Sequence, residues 1–154
     1  MTMKAGRRGN IPMTLIEFVN RYHGKKVDFD GHYGAQCVDL FRQYNKDVLG
    51  NGRTEGVEGA KDLALYYNRM PKEKQFFMLI NNVYAAQEGD VAVWDATAKN
   101  RYGHVAIVLK ADKNRLVVFE QDGFAQDGAK IAERTISGII GYLRKWPAMQ
   151  DMEF

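Results

Sequence analysis

Apolar residues recur at helical spacing in the first half of the chain. Between Thr14, a residue preferred at helix starts, and Gly24, a residue typical of helix ends, they lie three or four positions apart. The same periodicity predicts a second helix over residues 37–48 and a third over residues 57–69, which Pro71 would end. The first half is therefore predicted to be helical.

The second half changes to short runs rich in β-branched and aromatic residues, separated by polar turns. These runs predict strands at residues 90–94, 103–109 and 115–120, with a final pair at 130–134 and 139–145. Residues 76–80 fit either a short strand or a helical turn. Helices first and an antiparallel sheet second predict an α+β fold, in which the N-terminal helices pack on a C-terminal antiparallel β-sheet.

Composition narrows the class of protein. The chain has 154 residues, the length of one domain, and its single cysteine excludes a disulfide framework or a multi-cysteine metal site. The net charge of +3 is too small to indicate nucleic acid. No apolar run reaches the roughly 20 residues of a membrane span, so we expect no membrane insertion. Residues 1–12 are polar and basic, which predicts a flexible basic lead without a signal peptide.

The only cysteine, Cys37, stands where a glycine-containing loop enters the second predicted helix. A helix N-terminus favours a thiolate, the form of cysteine that attacks carbonyl carbons. The backbone N–H of Cys37 and the side chain of Gln36 are candidate donors to an oxyanion. The competing interpretation is a buried structural cysteine, which is the commoner role of a lone cysteine.

A reactive thiol needs a base and a group that orients it. His104 opens an apolar strand directly after Gly103, and Glu120 ends the next predicted strand. Asp122 would project from the same face as Glu120 if that strand continued. An ordinary histidine and edge charges on a sheet are the alternative. The order of a cysteine on a helix, a histidine on a strand and a carboxylate on the next strand is the papain-like arrangement.

The loop before Cys37 has the spacing of an EF-hand calcium loop. Asp28, Asp30, His32, Gly34 and Asp39 occupy positions 1, 3, 5, 7 and 12. Carboxylate oxygens and backbone carbonyls suit a hard cation, whereas an imidazole does not. The usual glycine at position 6 is missing, and position 12 is Asp rather than Glu. An Asx-turn loop whose acids only cap the helix is the alternative.

Four segments together resemble one known family. Residues 28–44 resemble the nucleophile region of CHAP domains, the cysteine, histidine-dependent amidohydrolases/peptidases, especially those of bacteriophage endolysins. Residues 103–108 resemble the histidine strand of that family, residues 119–122 its Glu-Gln-Asn strand and residues 141–146 its end. The resemblance covers about residues 14–147 and implies a papain-like α+β fold.

The resemblance also implies a function and roles for the candidate residues. It implies a peptidoglycan hydrolase that cleaves amide bonds, as an endopeptidase or an N-acetylmuramoyl-L-alanine amidase. Cys37 would be the nucleophile, His104 the base and then the acid, and Glu120 the orienting group. Asp122 falls where the family has Asn; it cannot donate as an amide does, and its expected catalytic role is that of an acceptor or of a second orienting group beside Glu120. Calcium becomes the favoured interpretation of the acidic loop.

The chain is therefore expected to consist of the lead at residues 1–12, a CHAP-like catalytic domain at residues 13–147 and a tail at residues 148–154. The expected partner is bacterial peptidoglycan, reached by a monomer with the possible help of a separate wall-binding domain or subunit. The chain would be made in the host cytoplasm and would act on the wall after release, or within a virion. Two alternatives stay open: a non-catalytic wall-binding or virion structural module, and a papain-like thiol peptidase or acyltransferase with another substrate.

Overall fold

The computed structural model describes residues 12–147 and has the predicted α+β organisation. The helices are α1 (Leu15–Tyr22), α2 (Cys37–Asp47), α3 (Asp62–Leu65) and α4 (Pro71–Phe76), with a 3₁₀ turn at Tyr67–Arg69. The strands are β1 (Phe77–Ile80), β2 (Val91–Trp94), β3 (His104–Asp112), β4 (Arg115–Glu120), β5 (Lys130–Thr135) and β6 (Ile139–Lys145). None of the helices between residues 12 and 147 has the length and apolar character required to cross a bilayer.

All six strands form one antiparallel sheet in the order β1-β6-β2-β3-β4-β5. The β3–β4 ladder contains one irregularity. Val108 pairs with Val118, and the next pair along is Lys110 with Val117, so Leu109 is an extra residue in β3. Such a bulge shifts the pairing of every residue beyond it by one position.

The two faces of the sheet carry separate apolar clusters. The helix-side cluster joins Phe18 of α1 and Leu40, Phe41 and Tyr44 of α2 to inward-facing strand residues, among them Val105, Ile107 and Phe119. The second cluster, on the other face, contains Ala92, Trp94, Ala106, Val108, Val118 and Tyr142. Because side chains alternate along a strand, β2, β3, β4 and β6 contribute to both clusters.

Most element predictions are confirmed, including the Thr14 cap of α1, the start of α2 at Cys37 and the bounds of β4 and β6. The predicted helix over residues 57–69 is wrong, because only Asp62–Leu65 is α-helical. Gly59 lies so close to the backbone of Tyr102 that a Cβ would come within 2.7 Å of its carbonyl oxygen. The N–H of Lys61 donates to that same carbonyl instead of forming a helical hydrogen bond.

Two smaller expectations also change. Pro71 does not end a helix but begins α4, at the position where proline's missing N–H costs nothing. The ambiguous segment at residues 76–80 forms strand β1, and β3 continues past residue 109 to Asp112. The predicted lead and tail lie outside the described residues, apart from Pro12.

Candidate active site

Cys37 is the first residue of α2, and its free, partly buried thiol lies at the positive end of the helix. Gln36 precedes it as the N-cap residue, with extended backbone angles. The Asp39 carboxylate accepts a hydrogen bond of 3.0 Å from the Gln36 N–H, which fixes the first turn. The predicted location of the cysteine at a helix start is therefore confirmed.

His104 begins β3, directly opposite Trp94 of β2. Their ring centroids are 5.6 Å apart. Gly103, which precedes the histidine, has a φ of +75°, and a Cβ there would lie 2.4 Å from the Trp94 carbonyl oxygen. Only glycine fits this close approach of two backbones directly before the histidine strand.

Glu120 ends β4 and connects His104 to a residue that the sequence interpretation missed. His104 Nε2 lies 3.0 Å from Glu120 Oε1. Arg134 of β5 binds the same carboxylate through both of its oxygens, with Nε contacting Oε1 and Nη2 lying 3.0 Å from Oε2. Only 3% of the Glu120 side chain is exposed, so this buried charge is balanced by two partners.

The protonation of this group follows from its contacts. Burial of the Glu120 carboxyl would raise its pKa, but hydrogen bonds and charges from His104 and Arg134 lower the pKa to about 2. Burial of the His104 ring would lower its pKa, but hydrogen bonds and charges from Cys37 and Glu120 raise the pKa to about 9. At neutral pH the imidazole is therefore protonated between a thiol group and a carboxylate.

The two ring nitrogens of His104 have different neighbours. Nε2 faces Glu120, which leaves Nδ1 as the nitrogen available to the Cys37 side chain that raises the histidine's pKa. The structure thus brings three of the predicted residues together in the order Cys37, His104, Glu120. A thiol paired with an imidazolium that a carboxylate orients is chemically suited to nucleophilic attack on a carbonyl carbon.

Asp122 lies in the turn that follows β4, since the strand ends at Glu120. Its Oδ1 accepts a hydrogen bond of 2.8 Å from the N–H of Phe124, and its backbone carbonyl accepts one from Gln126. Among the described residues it forms no hydrogen bond with His104. Asp122 was expected to share a face with Glu120 only if the strand continued, and the strand does not continue.

The three aspartates of the acidic loop converge. One carboxylate oxygen each from Asp28, Asp30 and Asp39 lies within 4.8 Å of the others. Burial raises the pKa of Asp39 to about 6; the Gln36 N–H opposes this rise, and the charges of Asp30 and Asp28 increase it. Arg42 forms an ion pair with this group, since its Nη1 lies 3.8 Å from Asp30 Oδ2.

The hydrogen bonds of these aspartates leave oxygens for a cation. Oδ1 of Asp28 accepts from the Gly31 N–H, Oδ1 of Asp30 from the His32 N–H and Oδ2 of Asp39 from the Gln36 N–H. The second oxygen of each carboxylate accepts no hydrogen bond from residues 12–147. Three such oxygens fit the hard-ligand preference of calcium.

The two other predicted ligands lie at the outer part of the loop. His32 is exposed, and its imidazole does not belong to the converging carboxylate group. Gly34 has a φ of +75° and lies against the Gln126 side chain, where a Cβ would come within 2.8 Å of Oε1. Any contribution from these two residues would have to come from their backbone carbonyls.

Two glutamines that the sequence interpretation missed hold the ends of this loop. The fully buried Gln121 accepts a hydrogen bond from the Val27 N–H and donates to the Val27 and Gln36 carbonyls. Gln126 accepts from the Ala35 N–H and donates to the Ala35 carbonyl. The residue after Glu120 therefore attaches the loop before Cys37 to the end of β4.

The comparisons with known proteins agree with this geometry. The profile of the CHAP domain family matches residues 26–122, so the chain belongs to the CHAP domain family. The chain is 28% identical over 153 residues to endolysin PlyTW of Staphylococcus phage Twort, an alignment that covers 86% of this chain and 30% of PlyTW. The chain thus spans less than a third of that curated relative.

Solved structures share the fold. The crystal structure of Ly7917 superposes with a TM-score of 0.64 at 20% identity, over 86% of this chain and 62% of Ly7917. A second Ly7917 structure, with the hydrolyzing product of MDP, gives a TM-score of 0.65 at 18% identity, over 83% of this chain and 60% of the other. The wild-type endolysin LysIME-EF1 gives 0.59 at 22% identity, over 83% and 61%. The papain-like α+β fold is confirmed.

Proposed function

We propose that this protein is a peptidoglycan hydrolase of the phage endolysin type, which cleaves amide bonds of the bacterial cell wall with Cys37 as nucleophile. The observation that carries the proposal is the ordered contact of Cys37, His104 and Glu120 at a helix start in a CHAP domain. The names of its relatives PlyTW and LysIME-EF1 as endolysins support the cell wall as the substrate.

The proposed reaction follows from the protonation states. The Cys37 thiolate attacks the scissile carbonyl carbon, a C–S bond forms and the carbonyl electron pair moves to oxygen. N–H donors at the start of α2, the Cys37 backbone amide and the exposed Gln36 side chain, stabilise the oxyanion. The C–N bond breaks as His104 gives its proton to the leaving amine. Water, losing a proton to His104, then hydrolyses the thioester and restores the thiolate.

The roles of the carboxylates differ in this proposal. Glu120 orients the His104 ring and stabilises its positive charge without exchanging a proton, because its pKa lies far below neutral pH. Asp122 shapes the turn after β4 and acts on the site through that turn. Cleavage as an endopeptidase and cleavage as an N-acetylmuramoyl-L-alanine amidase both use this machinery.

We propose further that the acidic loop holds calcium. Asp28, Asp30 and Asp39 would supply carboxylate oxygens, and the His32 and Gly34 carbonyls are the remaining candidates. When bound, calcium would neutralise the loop charge and order the segment that leads into Cys37. The fit rests on oxygen ligands, on their convergence and on the second carboxylate oxygens of Asp28, Asp30 and Asp39, which accept no hydrogen bond from the described residues; that of Asp30 is ion-paired with Arg42.

The domain division and partners belong to the same proposal. Residues 13–147 form the catalytic unit, which acts as a monomer on peptidoglycan, and a separate wall-binding domain or subunit would add targeting. The protein would act at the wall after release from the host cytoplasm or from a virion.

Turbidity of purified Gram-positive cell walls tests the proposal. We expect the wild type to clear the walls, Cys37→Ala to be inactive with an unchanged circular dichroism spectrum, and Cys37→Ser to be nearly inactive. Mass spectrometry of the released fragments then separates an amidase, which frees the peptide from muramic acid, from an endopeptidase. Clearing by Cys37→Ala would contradict the nucleophile assignment.

The two alternative functions give different results in the same assay. If wild type and Cys37→Ala both sedimented with the walls to the same extent and neither cleared them, the protein would be a wall-binding or virion module. Cysteine-dependent cleavage of a protein substrate together with intact walls would indicate a thiol peptidase with another target.

A further inference from the structure

Arg134 is an unexplained member of the site. It lies on β5, two strands away from His104, and 38% of its side chain is exposed. Its Nε and Nη2 bind the two oxygens of Glu120 separately. Two parallel hydrogen bonds to a carboxylate fix the plane of that carboxylate, which a single bond does not. Glu120 therefore has one orientation in which to meet the histidine.

The Arg134 guanidinium also contacts the side chain of Trp94. The guanidinium carbon lies 5.5 Å from the centroid of the Trp94 ring, within the range of a cation–π contact. The same indole lies 5.6 Å from the His104 ring. One buried aromatic side chain thus contacts both the histidine and the arginine that share a carboxylate.

Arg134 also affects the charge of the carboxylate, because it shares one oxygen of Glu120 with His104. Glu120 Oε1 faces both His104 Nε2 and Arg134 Nε, while Oε2 is bound by Arg134 alone. The carboxylate stays ionised in acid because two cations contact it. It also cannot rotate away from the histidine, since the rotation would break both arginine bonds.

We propose that Arg134 is a positioning residue for His104: held against the Trp94 ring, its guanidinium fixes the Glu120 carboxylate, which aligns the imidazole with the Cys37 thiol. The inference rests on the proposed thiol-hydrolase function. A structure-only role is the alternative, because an arginine–carboxylate pair across β4 and β5 also joins the two strands.

Two variants with a matched control test the proposal. Arg134→Gln removes the charge and the paired bonds, Arg134→Lys restores the charge alone, and Arg115→Gln breaks an exposed pair with Glu133 between the same strands. On purified walls at several concentrations we expect Arg134→Gln to lower kcat by on the order of ten- to hundredfold, with KM changed less than threefold. Arg115→Gln should match the wild type.

The pH profile distinguishes positioning from simple stabilisation. Without the Arg134 charge the Glu120 pKa rises, so the acid limb of the kcat profile should move up by roughly one pH unit or more. Arg134→Lys should return this limb toward the wild-type position while kcat stays reduced, since an ammonium cannot bind both oxygens in one plane. If Arg134→Gln does not fold, the reduced kcat of Arg134→Lys carries the test.

A readout without substrate separates this proposal from the proposed function. The rate of Cys37 alkylation by iodoacetamide, followed against pH, reports the thiolate–imidazolium pair in any folded variant. We expect its acid limb to shift in Arg134→Gln and not in Arg115→Gln, even if the wild type clears no walls. The inference would be overturned if Arg134→Gln had the same kcat, the same acid limb of the pH profile and the same rate of Cys37 alkylation as the wild type.

Discussion

The sheet side and the loop side of the candidate site balance their charges in different ways. On the sheet side the buried Glu120 contacts two cationic partners, which lower its pKa. On the loop side three aspartates converge near one arginine at 3.8 Å, and the pKa of the buried Asp39 rises to about 6. The fold itself completes the sheet side, whereas the loop side needs a proton or a bound cation.

The largest effect should come from breaking the balanced side. Glu120→Gln keeps the size of the side chain but removes the charge that stabilises the imidazolium. We expect wall clearing to fall by roughly 10²- to 10⁴-fold, because a neutral amide supports the histidine poorly. Initial clearing rates measure this, with circular dichroism as the check on folding. A loss below threefold would show that Glu120 is dispensable.

The second test adds calcium to the acidic loop and measures the change in stability. If calcium binds, a concentration 100 times Kd adds about 2.7 kcal/mol to the free energy of unfolding, so Tm should rise by roughly 5–10 °C. The Asp28→Asn/Asp30→Asn double variant should lose this rise. Asp127→Asn, at an exposed carboxylate paired with Lys130, is the control. An equal rise in the double variant would place the calcium elsewhere.

The third test uses pH in the presence of a chelator. The folded pKa of Asp39 is raised above its ordinary value, so its protonated form stabilises the fold below pH 4 and this stabilisation is lost as pH rises through about 6. We expect the free energy of unfolding to fall over that range by on the order of 2 kcal/mol. Urea unfolding of wild type and Asp39→Asn measures the difference.

A second buried acid gives that experiment its control. Burial raises the pKa of Glu73 to about 7, and its Oε2 has no hydrogen-bond partner in the described part of the chain. Glu73 therefore adds a slope of the same sign, which Glu73→Gln should remove. Because Glu73 lies outside the acidic loop, calcium should abolish only the Asp39 slope. A calcium-insensitive slope at Asp39 would contradict the loop site.

The last test changes Gln121, the residue that joins the two sides. Gln121→Glu keeps the acceptor for the Val27 N–H but cannot donate to the Val27 and Gln36 carbonyls. We expect a loss of about 1–3 kcal/mol in unfolding free energy, together with several-fold weaker calcium binding by calorimetry. Gln75→Glu, at an exposed position of α4, serves as the control. Unchanged calcium affinity would show that the loop forms its site without this anchor.

The sequence predicted elements whose residues repeat at a regular spacing. Helices α1 and α2 and strands β4 and β6 fall into this group, and the location of Cys37 at a helix start followed from them. The helix predicted over residues 57–69 failed because the approach of Gly59 to Tyr102 joins positions 43 residues apart, and no local pattern encodes it.

The same limit explains the parts of the site that were missed. Gln121 binds Val27 and Gln36, which are 94 and 85 positions away, and Arg134 meets Glu120 only because β4 and β5 pair. Both residues have ordinary neighbours in the sequence. Cys37, His104 and Glu120 were found because each has a chemical role and a place in the order of the elements.

The extra residue Leu109 in β3 has a consequence for how this site is encoded. If the pairing of Lys110 with Val117 continued without a bulge, Ile107 would face Glu120, and the glutamate would turn toward the helix-side cluster. Gln121 would then stand on the side of His104. A shift of one residue in the β3–β4 pairing would thus exchange the faces of the sheet on which Glu120 and Gln121 lie. Leu109, by adding one residue to β3, therefore decides which of these two neighbours faces His104.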